Sequence, residues 1–71
     1  MTESVYRITE IIGTSAQSWE AAAKNAVEEA SKHLRDLRVA EITKLDMKIE
    51  NGRVTAYRAR VQLSFKYESD G

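Results

Sequence analysis

The chain has no cysteine, no proline, three glycines, one histidine and one tryptophan in 71 residues. Each scarcity closes a route. Without cysteine there is neither a disulfide framework nor a zinc–thiolate site, and a single histidine argues against a histidine-based metal site. A domain this small buries too little apolar surface to be robust without a staple, a metal or a partner. With the first two removed, self-association is the expected source of stability. Charge of one sign is also missing: Lys plus Arg is 11, Asp plus Glu is 11, and the formal net charge is zero. Phosphate backbones and anionic membrane surfaces call for a basic excess, so neither nucleic acid nor membrane is an expected partner. No apolar run approaches the roughly 18 residues of a membrane span. The opening Met1-Thr-Glu-Ser4 lacks the basic-then-apolar pattern of a signal peptide, and the expected location is cytoplasmic.

What is present divides into four segments. Val5-Tyr-Arg-Ile-Thr-Glu-Ile-Ile12 is rich in β-branched and aromatic residues and reads as a strand ended by Gly13-Thr14-Ser15. The period then changes. Trp19, Ala22, Ala23, Ala26, Val27, Ala30, Leu34 and Leu37 recur at helical spacing, which predicts a helix over 16–36 capped by Ser15 or Ser18. Its apolar stripe is mostly alanine, so another element can approach it closely. Acidic residues lead and basic ones follow along this helix, which suits the helix dipole.

Two strands, 38–50 and 53–67, flank Asn51-Gly52, a strong hairpin signal. The apolar residues Val39, Leu45, Met47 and Ile49 of one strand, and Tyr57, Ala59, Val61, Leu63 and Phe65 of the other, are all odd-numbered. Paired residues share a face, so paired numbers must sum to an even value. A strict two-residue turn breaks that rule. The better register pairs Ile49 with Thr55, Met47 with Tyr57, Leu45 with Ala59 and Thr43 with Val61, and demands a three-residue loop or a bulge beside Gly52. On the other face it sets Asp46 opposite Arg58, Lys44 opposite Arg60 and Lys48 opposite Ala56. A strand–helix–strand crossover joins parallel strands, and if the last strand is antiparallel to the first as well as to its hairpin partner, it lies in the centre. The expected fold class is then α+β: β-α-β-β, a three-stranded antiparallel sheet of order 2-3-1 around one helix, in a single domain over 1–71. One sheet face and both edges are left open.

The residues Val5-Tyr-Arg-Ile-Thr-Glu-Ile-Ile-Gly-Thr-Ser15, the alanine-rich helix, a strand around Glu41 and the closing Val61-Gln-Leu-Ser-Phe65 resemble the dodecin family over essentially the whole chain. The resemblance implies a homododecamer, a hollow tetrahedral shell that binds and stores flavin (FMN, FAD or riboflavin) without catalysis. In such shells flavin rings stack between tryptophans of neighbouring subunits near two-fold axes, and a glutamine on the last strand holds the ring edge. Here Val39 stands at the tryptophan position, Ala40 at the next aromatic and Arg58 at the glutamine. Valine has no π face, and an arginine donates hydrogen bonds but accepts none. The stretches Ser18-Trp19-Glu20, Arg38-Val39-Ala40, Asp46-Met47 and Ser64-Phe65-Lys66 resemble the calcium dodecins, a branch whose ligand is Ca2+. Calcium takes about six to eight oxygen ligands, and no local loop supplies them. Asp46, Glu50 and Glu41 are the candidate ligands, to be completed across subunits.

Other readings stay beside these. Lys44 and Arg60, side by side, are candidate anion contacts or partners for acidic groups of another subunit. Asp46 with Arg58 reads first as a salt bridge. Trp19 sits on the apolar stripe and reads as core or subunit interface. His33 reads as a helix-end residue, Glu28-Glu29 as a solvated face, and Glu68-Ser-Asp-Gly71 as a frayed tail. No nucleophile elbow, phosphate loop or histidine–carboxylate spacing points to an enzyme. The expected function is a non-catalytic dodecin-like shell for a small ligand; the alternative is a calcium-binding or purely structural cage.

Overall fold

The computed structural model describes residues 5–66, so the predicted strand end at 67 and the tail 68–71 lie outside the described residues. The element order is β1 (Tyr6–Ser15), α1 (Trp19–Ser31), β2 (Leu37–Glu50) and β3 (Arg53–Lys66). The strands form one antiparallel sheet of order β1-β3-β2. This is the predicted arrangement, read from the opposite edge.

Helix α1 is shorter than the spacing predicts. Ser18 is the N-cap: its backbone is extended (φ −165°), and its side chain accepts from the Ala21 N–H at 3.0 Å. Ser15 plays a different part, its Oγ accepting from Gln17 N–H at 2.9 Å. After Ser31 the last carbonyls are taken up by a tight turn, with His33 N–H and Leu34 N–H both bonded to Ala30 O. Asp36 then turns the chain at φ 57°, in the left-handed region that Asp tolerates. Leu34 and Leu37 still pack on the core. Their apolar spacing therefore continues past the last helical residue.

The core is small. Ala22, Ala26 and Ala30 of α1 meet Ala59, Val61 and Leu63 of β3, and Leu63 and Val61 are the largest side chains fully buried. Gly13 does not end β1, as the sequence suggests. It is buried within the strand, paired with Ala59 and pressed against the Ala22–Ala26 turn of α1.

The hairpin keeps the predicted register from Lys44↔Arg60 to Lys48↔Ala56, but three irregularities interrupt it elsewhere. Glu50 pairs with Arg53 across a two-residue turn with positive φ at Asn51 (51°) and Gly52 (75°), the mirror-image type that suits hairpin twist. The expected bulge lies just behind it, and Thr55 is the extra residue. Ile49 thus pairs with Val54, not with Thr55. A second bulge at Thr43 gives Val61 to Ile42, and a third falls at Arg38. The two bulge threonines point their hydroxyls back across the ladder, Thr55 Oγ1 to Lys48 O and Thr43 Oγ1 to Arg60 O, each at 3.3 Å.

Each extra residue reverses the alternation of faces. Val39, grouped with Leu45, Met47 and Ile49 by number, pairs with Ser64 and stands on the face away from the helix. Leu45 and Met47 pair with Ala59 and Tyr57 on the helix side. The helix packs mainly against β1 and β3, and the far end of the β2–β3 hairpin runs on beyond it.

The result is long and thin, 54 × 20 × 14 Å, with a radius of gyration of 14.8 Å. A compact domain of this length would have about 11 Å. The accessible surface is 5583 Å², against roughly 4,450 Å² for a folded monomer of this mass.

Candidate functional site

The face of the sheet away from α1 is built in rows that the register defines. Ile8, Ser64 and Val39 form one row; Glu10, Gln62 and Glu41 the next; then Ile12, Arg60 and Lys44; then Thr14, Arg58 and Asp46. Strands lie about 4.8 Å apart, so each row spans about two strand spacings. The bulge at Thr43 brings Val39, Glu41, Lys44 and Asp46 onto this one face. Simple alternation would have separated the odd-numbered from the even-numbered residues.

The Thr14 row carries the best-formed polar contact. Arg58 Nε donates to Asp46 Oδ1 at 2.7 Å and Arg58 Nη2 to Asp46 Oδ2 at 2.9 Å, a two-pronged ion pair. The hydrogen bonds from Arg58 hold the Asp46 carboxyl below the usual aspartate range, with the charges of Arg58 and Arg60 adding to the effect. The pair thus joins the position that the resemblance assigns to the ring-holding glutamine to a residue read as a calcium ligand. Both of its side chains are about half exposed, so it contributes little to stability at neutral pH.

Because the Asp46 pKa is depressed on folding, its contribution is present above the ordinary aspartate value and lost as pH falls through the lowered one, below about pH 4. In Asp46→Asn the urea midpoint should change little at pH 7. Its decline between pH 5 and pH 2.5 should be shallower than in the unsubstituted protein.

Val39 is 59% exposed beside Ser64 and Ile8. It offers an aliphatic patch where a ring would need an aromatic platform. Trp19 lies elsewhere. It is partly buried at the start of α1, edge-on to Tyr57 with ring centroids 5.1 Å apart, and its Nε1–H donates to Asp46 O at 3.0 Å. It clamps the helix start to the hairpin within one chain, as a core reading of that residue expects.

Lys44 and Arg60 are neighbours across the ladder, as expected, and among the described residues neither has an ion-pair partner. Next to them, Glu10 and Glu41 flank Gln62. Glu10 is the member that sequence reasoning missed. The β1–β3 register was the only route to it, and no local motif marks it. His33 lies just past α1, with Nε2 3.7 Å from Glu29 Oε2, in the helix-end place expected of it.

The three candidate calcium ligands do not converge within one chain. Asp46 is engaged by Arg58, Glu41 stands beside Gln62, and Glu50 sits at the turn, 3.5 Å from Lys48 Nζ. Among the described residues no three His, Cys, Asp or Glu side chains are grouped to hold a metal ion. One chain therefore offers too few oxygen donors for calcium. The carboxylates of Glu10 and Glu41, without an ion-pair partner among the described residues, are suited to a cation only if other copies add ligands.

These features define a small β-α-β-β protein with one helix-covered sheet face and one open, charge-striped face. Comparison with known proteins places it further. The family model for dodecin matches residues 5–68. Calcium dodecin from Mycobacterium tuberculosis is 43% identical over 63 residues, 89% of each chain. Dodecin from Streptomyces coelicolor superposes with a TM-score of 0.90 at 37% identity, covering 99% of this chain and all of that one. The crystal structure of the M. tuberculosis protein, described as calcium-chelating with a novel calcium-binding site, superposes with a TM-score of 0.81 at 40% identity, covering 96% and 97%. The chain belongs to the dodecin family.

Proposed function

We propose that the chain is a non-catalytic, cytoplasmic binding protein that works as a shell of twelve copies, and that the ligand of this shell is calcium rather than a stacked flavin. The observation that carries the choice of ligand is the Asp46–Arg58 pair together with Val39. The ring-edge position holds an arginine already committed to a carboxylate, and the stacking position holds an aliphatic side chain. A flavin placed there would lose its stacking energy and would have to break an ion pair. The similarity to calcium dodecin supports the cation, and the unshared carboxylates of Glu41 and Glu10 are the groups on this face best able to serve it. Self-assembly is supported by the excess surface and the elongated shape, which a lone chain of this length does not need.

The test is native mass spectrometry of protein purified without added ligand, with thermal unfolding in calcium and in chelator. The expected result is twelve chains with small mass increments that a chelator removes. The unfolding temperature should rise with calcium, since a ligand held only by the folded assembly adds about 2.7 kcal/mol at a hundred times its dissociation constant. Twelve chains with flavin-sized adducts would overturn the calcium assignment. A monomer would overturn the shell.

A further inference from the structure

The far end of the hairpin presents an apolar surface that its own chain cannot cover. Leu45 and Met47 lie on the helix side of β2, and Ile49 pairs with Val54 just before the turn; the four are 50%, 43%, 62% and 46% exposed. The helix that would cover them begins at Trp19, which already packs on Tyr57, and runs away from the tip. A row from Leu45 to Ile49 is roughly 13 Å long at strand rise.

The opposite feature lies at the other sheet edge. Between α1 and the free edge of β1 runs an open groove of about 550 Å³, with a floor of Ile11, Ala26, Ala30 and Leu34 and with Glu29 and His33 on its rim. From Asn25 to His33 it follows the chain for roughly 12 Å at helical rise. No residue of β2 or β3 lines it, so a hairpin that fills it must come from another copy. Arg53, at the tip, has no ion-pair partner among the described residues. Glu29 on the groove rim is held by Lys32 at 3.2 Å and has His33 at 3.7 Å, so the contact is carried by apolar fit and not by charge.

We infer that the β2–β3 hairpin tip of one copy docks, through Leu45, Met47, Ile49 and Val54, in the α1–β1 groove of the next copy. The contact is heterologous, tip to groove, and such contacts close into rings when the rotation allows. This rests on the shell of twelve proposed above: with the tetrahedral symmetry that the resemblance implies, a shell has only two-fold and three-fold axes, and a heterologous tip–groove contact falls on the three-fold. It gives each copy one tip buried and one groove filled.

The absence of cysteine makes a clean test available. Ile49→Cys and His33→Cys are introduced together, the oligomer is treated with a short bismaleimide, and the products are separated under denaturing conditions. Native mass spectrometry before treatment reports assembly independently. The expected result is covalent two-chain and three-chain species, with the ladder stopping at three and neither single variant cross-linking. A second pair, Val54→Cys with Asn25→Cys, should behave alike and covers the case in which the first pair misfolds. An intact twelve-chain mass with no cross-link in either pair would overturn the tip–groove contact and leave the shell standing. A ladder running past three would overturn the ring. A monomer of the unsubstituted chain would overturn the shell itself.

Discussion

Gly13→Ala is expected to lower the thermal midpoint by roughly 10–20 °C at fixed protein concentration, the largest loss from any single added methyl group in this chain. A Cβ at Gly13 would overlap the carbonyl oxygen of Ala22 and lie 2.8 Å from Ala26 Cβ. Neither obstacle is the end of a flexible side chain. The first is helix backbone, and the second is a methyl fixed to it, so the whole helix must lift from the sheet. Overpacking of this kind costs about 1–3 kcal/mol, and more where nothing can rotate away. The stiffer unfolded chain returns about 0.4–1 kcal/mol. A net loss of about 2–3 kcal/mol corresponds to the midpoint shift above for a domain of this size. Gly52→Asn provides the contrast. Gly52 also has an unusual backbone, with φ 75°, but a Cβ there meets nothing within 4 Å, so its effect should be a small fraction of the Gly13 loss. Equal losses at the two glycines would show that close helix–sheet approach is not what Gly13 provides.

The second large effect is a gain. Val39→Trp with Arg58→Gln should raise riboflavin affinity by roughly 10–100-fold, read as quenching of flavin fluorescence. An aromatic platform is worth about 1–3 kcal/mol per stacked ring, and each 1.4 kcal/mol is about tenfold. The glutamine restores a side chain that both donates and accepts at the ring edge. Riboflavin is the right probe because removing Arg58 frees the Asp46 carboxylate, which would repel a flavin phosphate. Val39→Trp alone should gain less, since the ion pair would still occupy the ring-edge position. Unchanged affinity in an intact oligomer would show that Val39 and Arg58 are not what limits flavin binding.

Both effects arise where the sequence was only partly legible. The hairpin register was readable through its middle because the apolar numbers on both strands must match faces, and Lys44, Asp46 and Lys48 lie opposite the residues expected. It failed at Ile49 and Thr43 because a bulge has no fixed residue signature. One threonine more in a strand looks like any other strand residue until its partner strand is known. The Thr43 bulge moved Val39 to the open face, away from the apolar set to which its number assigned it. The helix was legible by period but not by length, since Leu34 and Leu37 pack on the core after the helix has ended.

By itself the sequence determined the element order, the hairpin and the Asp46–Arg58 pairing, and the connection rules pointed to β3 in the centre of the sheet. These follow from periodicity, turn chemistry and connectivity, all of which act over short distances along the chain. Only the tertiary structure decided that Gly13 is a contact point and not a strand end, that Glu10 stands in a row with Gln62 and Glu41, that the candidate carboxylates Asp46, Glu50 and Glu41 stay apart, and that the hairpin outruns its helix. Those features depend on how the helix lies over the sheet and on pairings between residues some fifty positions apart, such as Glu10 with Gln62. No local pattern encodes such distances, because their energy is gained only when distant segments meet.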